Sequence, residues 1–120
     1  MLELTEIIYN GLVSVSAVTT VFGNKIYPLL ADEKVAEPFV AYKVRQLGRT
    51  SKDGINEFEV IVNNYDNTYD TALTNAAVLN DAMISLQHAG KQYHFKEVSK
   101  DPLLTEDQKV YVEQVYSIKI

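Results

Sequence analysis

The chain contains no cysteine and no tryptophan. Without thiols, disulfides and thiolate metal sites are excluded, and nothing points to an oxidising compartment. The opening MLELTE lacks the basic region and long apolar run of a signal peptide. No segment approaches the roughly twenty apolar residues of a membrane span. The expectation is therefore synthesis in the cytoplasm and no membrane partner. Basic residues are missing from a long internal stretch: between Asp53 and Gly90 there is no Lys or Arg. That stretch carries Asp53, Glu57, Glu59, Asp66, Asp70 and Asp81. With a formal net charge of −5, the chain does not suit a dedicated nucleic-acid binder, which needs a basic surface against phosphate.

What is present fits one soluble domain spanning residues 1–120, long enough for a core without staples. Apolar residues make up 47% and charged ones 22%, ordinary for a globular protein. The unit that organises the chain runs from Gly54 to Gly90. Phe58, Val60 and Val62 alternate with Glu57, Glu59 and Asn63, the period-two pattern of a half-buried strand. Tyr69, Ala72, Leu73, Ala76, Leu79, Met83 and Leu86 then recur at helical spacing, the stripe of a core-facing helix. Asn67, with Asp70 three residues on, resembles a capping box, and Asp66 and Asp70 suit the positive helix end. Gly90 reads as the stop after the helix.

Before this unit, Leu4, Ile7, Ile8, Leu12 and Val15 predict a helix of about three turns, with Gly11 an awkward residue inside it. Ser16 reads as the cap of a second short helix over residues 17–22, ended by Gly23. Residues 25–28 are a short extended piece. Residues 29–37 read as a loop whose Leu29, Leu30 and Val35 pack as a flap. Residues 38–47 read as a strand, with Phe39, Ala41, Lys43, Arg45 and Leu47 on one face. Residues 48–54 form the turn of a long hairpin reaching residue 63. Past the main helix, residues 91–98 are a strand, residues 100–103 a turn, and residues 109–120 a last strand. The expected fold class is α+β: a single antiparallel-rich sheet with a long helix and an N-terminal helix packed on it.

Catalytic sets are hard to find. His88 and His94 lack the same-face spacing of a helical zinc pair. His88 reads more simply as a helix-end residue and His94 as a strand-surface residue. Glu57 and Glu59 share a strand face and could act as paired carboxylates, but no Lys or His follows at a completing distance. A solvated or interfacial face is the plainer reading. No Gly-rich phosphate loop, nucleophile elbow or HExxH occurs, and no cofactor is implied. The eight tyrosines are spread over every element, as core edges and subunit contacts use them. A stacking platform for bases would gather them on basic strands.

The order of short motifs resembles a family of phage proteins. A helix and a short second helix end in Gly at Leu12 to Phe22-Gly23, followed by Ile26-Tyr27-Pro28. A Pro-led strand with a central Tyr comes next, Pro38 to Tyr42. A polar hairpin then leads to the strand-helix unit from Phe58 to Leu86, with Tyr65, Tyr69 and Ala72. This order is similar to that of the small tail-completion proteins, also called head–tail joining or tail-terminator proteins, of long-tailed phages and prophages. The resemblance implies a non-enzymatic virion protein, made in the bacterial host cytoplasm. It would form a ring, usually a hexamer, at the head-proximal end of the tail. Its implied partners are itself, the tail tube and the head connector; sequence-specific nucleic-acid binding is not implied. A ring needs two different patches per chain. The residues offer a basic hairpin (Lys43, Arg45, Arg49, Lys52) and an acidic strand-helix unit (Glu57, Glu59, Asp66, Asp70) as subunit contacts, expected to be out of reach of each other within one chain. The alternative is a small cytoplasmic enzyme or ligand-binding domain using Glu57, Glu59 or His94 in a cleft.

Overall fold

A computed structural model describes residues 2–29, 36–47, 56–105 and 109–120. Two helices open the chain, α1 (Leu2–Val13) and α2 (Ser16–Phe22), bent 87° to one another. Strands β1 (Ile26–Pro28), β2 (Phe39–Leu47) and β3 (Glu57–Asp66) lead to α3 (Tyr69–Ile84). A two-residue ribbon of β4 (Gln87–His88) and β5 (Lys91–Gln92) is followed by β6 (Lys96–Leu104) and β7 (Val110–Lys119). The main sheet has the order β1-β2-β3-β7-β6, in which only β1 and β2 run parallel. The fold is α+β with an antiparallel-rich sheet, as the periodicities imply. No single described helix is long and apolar enough to cross a membrane.

Alternation in the strands decides which sheet face the helices cover. Val40, Tyr42 and Val44 on β2, Phe58, Val60 and Val62 on β3, and Tyr116 and Ile118 on β7 share one buried face. Ile8 and Leu12 of α1, Val18 and Phe22 of α2, and Leu79 and Met83 of α3 close over them. At the other end of α3 the packing is tighter and more polar. Ala72 and Ala76 let the helix sit close to the sheet, and two sheet amides reach its backbone. Asn64 Nδ2 donates to the Ala72 carbonyl and Gln114 Nε2 to the Ala76 carbonyl, each at 3.0 Å. These bonds satisfy buried amides that would otherwise be costly and fix the helix's register on the strands.

Several local expectations are corrected. Strand β3 continues three residues beyond Asn63, because Asn64 and Asp66 keep the alternation with buried polar side chains. The cap of α3 is Thr68, not Asn67: its Oγ1 accepts from the Thr71 amide at 3.2 Å. Tyr69 is not in the core stripe and is 53% exposed. The helix ends at Ile84, short of Gly90. Ala89 and Gly90 both take positive φ, 53° and 78°, which suits the two-residue turn between β4 and β5. His88 therefore lies on β4 rather than at a helix end. Ser16 is the first residue of α2 and not its cap; Val15 stands there with no side-chain bond. Gly23 does end α2, at φ 63°. The strand expected over residues 91–98 is split, and residues 100–103 belong to β6, not to a turn. Pro102 is tolerated because β6 is an edge strand. Leu29 does not pack as a flap but is 64% exposed; Leu30 and Val35 lie outside the described residues.

Candidate functional site

The second face of the sheet carries no described helix, and it gathers Lys43, Arg45, Glu57 and Glu59 of the residues singled out as contacts. Register places Arg45 opposite Glu59, Lys43 opposite Ile61, and Leu47 opposite Glu57. Arg45 Nη2 donates to Glu59 Oε1, forming an ion pair within one chain. The basic and acidic strands were expected to be out of reach of each other. They meet because β2 and β3 are hydrogen-bonded neighbours whose polar faces coincide. An exposed pair of this kind is worth about 0–1 kcal/mol. Lys43 is exposed beside it. Arg49 and Lys52 lie outside the described residues.

Asp66 occupies a different position. It is on the helix-covered face, 3% exposed, where Asn75 Nδ2 donates to its Oδ2 and the Asn67 amide donates to its Oδ1 at 2.8 Å. Its carboxylate organises the entry into α3 and is not presented to a neighbour. Asp70, four residues on, is exposed in the first turn of α3.

Three aromatic rings form a ladder across the open face. Phe39 stacks on Tyr65 with centroids 4.7 Å apart, and Tyr65 stacks on Tyr111 at 5.0 Å. Each pair contributes about 0.5–1.5 kcal/mol beyond its area. Burial, then Tyr111 and Glu113, push the Tyr65 hydroxyl above its ordinary pKa. The tyrosines are thus less dispersed than the sequence suggests. The signal was there in parity, since Phe39, Tyr65 and Tyr111 all fall out of phase with the core positions, but only the strand register aligns them.

The fold also places His94 and Glu57 on one cleft. With Lys96, Ser117, Ile118 and Lys119 they line an open cleft of about 460 Å³ at one end of the sheet. Glu59 is not part of it. Among the described residues, no group of three His, Asp or Glu side chains could hold a metal ion. A second groove of about 460 Å³ lies at the β6 edge, lined by Tyr69, Pro102, Leu103, Leu104 and Val110. It is predominantly apolar. Beside the β2 end of the sheet, Lys109 Nζ holds the Glu37 carboxylate at 2.8 Å. That bond keeps the Glu37 pKa below its ordinary value.

No protein-family model and no curated protein sequence matches the chain. A solved structure does. The fold is similar to that of a chain in a structure titled "Virion of native gene transfer agent (GTA) particle", with a TM-score of 0.79. The match covers 97% of this chain and 92% of that one. At 14% identity the likeness is one of fold. It extends over nearly the whole chain rather than the strand-helix unit alone.

Proposed function

We propose that this chain is a structural protein of a phage-like virion, a subunit of a ring at the head-proximal end of the tail that completes the tail and joins it to the head. The observation that carries the proposal is the near full-length likeness of fold to a chain of a gene transfer agent virion. The order of motifs from Leu12 to Leu86 supports the tail-completion assignment independently of that likeness. In this reading the protein is not an enzyme. Its partners are further copies of itself, the tail tube and the head connector, and its place is the virion. Among the described residues of the two expected patches, Lys43 on the open sheet face and Asp70 at the start of α3 are the charged side chains that are exposed and have no ion-pair partner. They act between subunits, steering assembly while apolar contacts supply most of the affinity.

Native mass spectrometry with negative-stain imaging of the purified protein tests this. The expected outcome is an annular particle, roughly 81 kDa for six chains of 13.5 kDa. Failure to form a ring both alone and on isolated tail tubes would overturn the proposal. The ligand-binding alternative is favoured by one feature, the cleft that brings Glu57 to His94. Its mark would be a melting temperature that rises with a small molecule or metal and loses that rise in Glu57→Gln.

A further inference from the structure

We infer that Leu29 of one copy seats in the apolar groove at the β6 edge of the next copy, the groove formed by Tyr69, Pro102, Leu103, Leu104 and Val110. The inference rests on the ring reading and names the contact that builds the ring. Three observations lead to it.

The first is the state of Leu29. It follows β1, the strand at one edge of the sheet, and its amide donates to the Tyr42 carbonyl at 2.6 Å. That bond holds it at φ 76°, a left-handed conformation that bulky residues rarely adopt. The outcome is a leucine 64% exposed to solvent. Among the described residues, no packing offsets the backbone strain or the exposed apolar surface, and such strain persists where it has a use.

The second is the groove. It lies at the opposite edge of the same sheet, where β6 is exposed along almost its whole length. Tyr69 and Leu104 are 53% and 63% exposed there, forming an apolar patch rather than scattered single residues. A volume of about 460 Å³ holds a leucine side chain together with the exposed Pro28 that precedes it. A knob on one edge and a hole on the other make a heterologous contact. Each copy then uses both surfaces, and the arrangement propagates until it closes.

The third is charge. Lys43 follows the residue that pairs with Pro28 on β2 and so flanks the knob. Asp70, exposed, adjoins the groove residue Tyr69; beside Pro102 the exposed Asp101 is preceded by Lys100, and Lys109 beside Val110 is held by Glu37. Lys43 at the knob and Asp70 at the groove are therefore the opposite charges that set the register of the contact.

The absence of cysteine makes a clean test possible. Leu29→Cys and Leu104→Cys chains are mixed under mild oxidation, alongside each variant alone. The mixture should give a disulfide-linked dimer that neither variant gives alone, and the doubly substituted chain should give a ladder of higher species. Leu29→Asp should abolish assembly, while Ile84→Asp, at another exposed apolar position, should leave it intact. No mixed dimer, or equal dimer from one variant alone, overturns the contact. Rings from the unsubstituted protein without the mixed dimer would refute the contact and leave the ring reading standing. A cross-linked ladder without closed rings would keep the contact and refute the ring.

Discussion

Gly11 sits in the middle of α1, where a glycine costs about 1 kcal/mol relative to alanine. The fold explains why it is there: a Cβ at this position would lie 2.6–2.9 Å from three side-chain carbons of Leu86. Leu86 is itself buried, so its side chain would have to shift within the core to make room. Gly11→Ala should therefore lower the melting temperature despite its better helix propensity, with overpacking outweighing the gain by about 1–3 kcal/mol. An unchanged or higher melting temperature would show that Leu86 can yield. Tyr42 gives a second test at this scale. It is buried, and its hydroxyl donates to the Thr5 carbonyl at 2.8 Å. Burial, then the neighbouring Tyr9, push its pKa from 10 up to about 12. Below pH 10 the neutral phenol's contribution is fully present. Above that the unfolded chain releases the proton first, so stability falls and the contribution is gone past pH 12. Chemical denaturation between pH 9 and 12 should show a shallower fall for Tyr42→Phe than for the parent; parallel curves would exclude Tyr42 as a source of the alkaline slope. Neither constraint was legible in the sequence. Gly11 looked like a weakness in the helix and Tyr42 an ordinary strand aromatic, because the partners lie 75 and 37 residues away in the chain.

At the scale of elements, periodicity located α1, α2, β2, β3, α3 and β7 to within a few residues. It failed where polar residues take core positions. Asn64 and Asp66 are buried because an amide and a carboxylate bond α3 and its entry, and a hydropathy pattern ends a strand at such residues. Gln114, buried in the same way, lies inside β7, whose flanking Val112 and Tyr116 keep the alternation visible. It failed again at β6, which has both faces exposed and therefore no alternation to detect. The helix face was legible. Leu79 is fully buried and Thr74 exposed, its hydroxyl bonding the Asp70 carbonyl at 2.9 Å. Leu79→Ala should cost about 2–5 kcal/mol and Thr74→Ala a small fraction of that, measured by urea denaturation. Equal midpoints would refute the assigned face.

For the whole molecule, the sequence suggested two patches of opposite charge, and the fold divides that idea. Arg45 and Glu59 neutralise one another inside one chain, and Asp66 is buried. Arg45 is thus engaged within the chain, while Arg49 and Lys52 lie outside the described residues. Lys43 and Asp70 are left on surfaces at opposite ends of the strand order, Lys43 beside the β1 edge and Asp70 beside the β6 groove. A pair that meets only between copies has a distinctive response to charge swapping. Lys43→Glu and Asp70→Lys should each weaken assembly at low salt, because each places like charges at the contact. The doubly swapped chain should recover it, since the pair is restored with reversed sign. Arg45→Glu should instead cost about 0–1 kcal/mol of folding stability and leave the assembled mass alone. Light scattering across a salt series separates these outcomes. The single-variant deficits should shrink as screening shortens the reach of the charges to a few ångströms. If the double swap fails to recover assembly, or if Arg45→Glu is as harmful as Lys43→Glu, the two edges do not meet through Lys43 and Asp70.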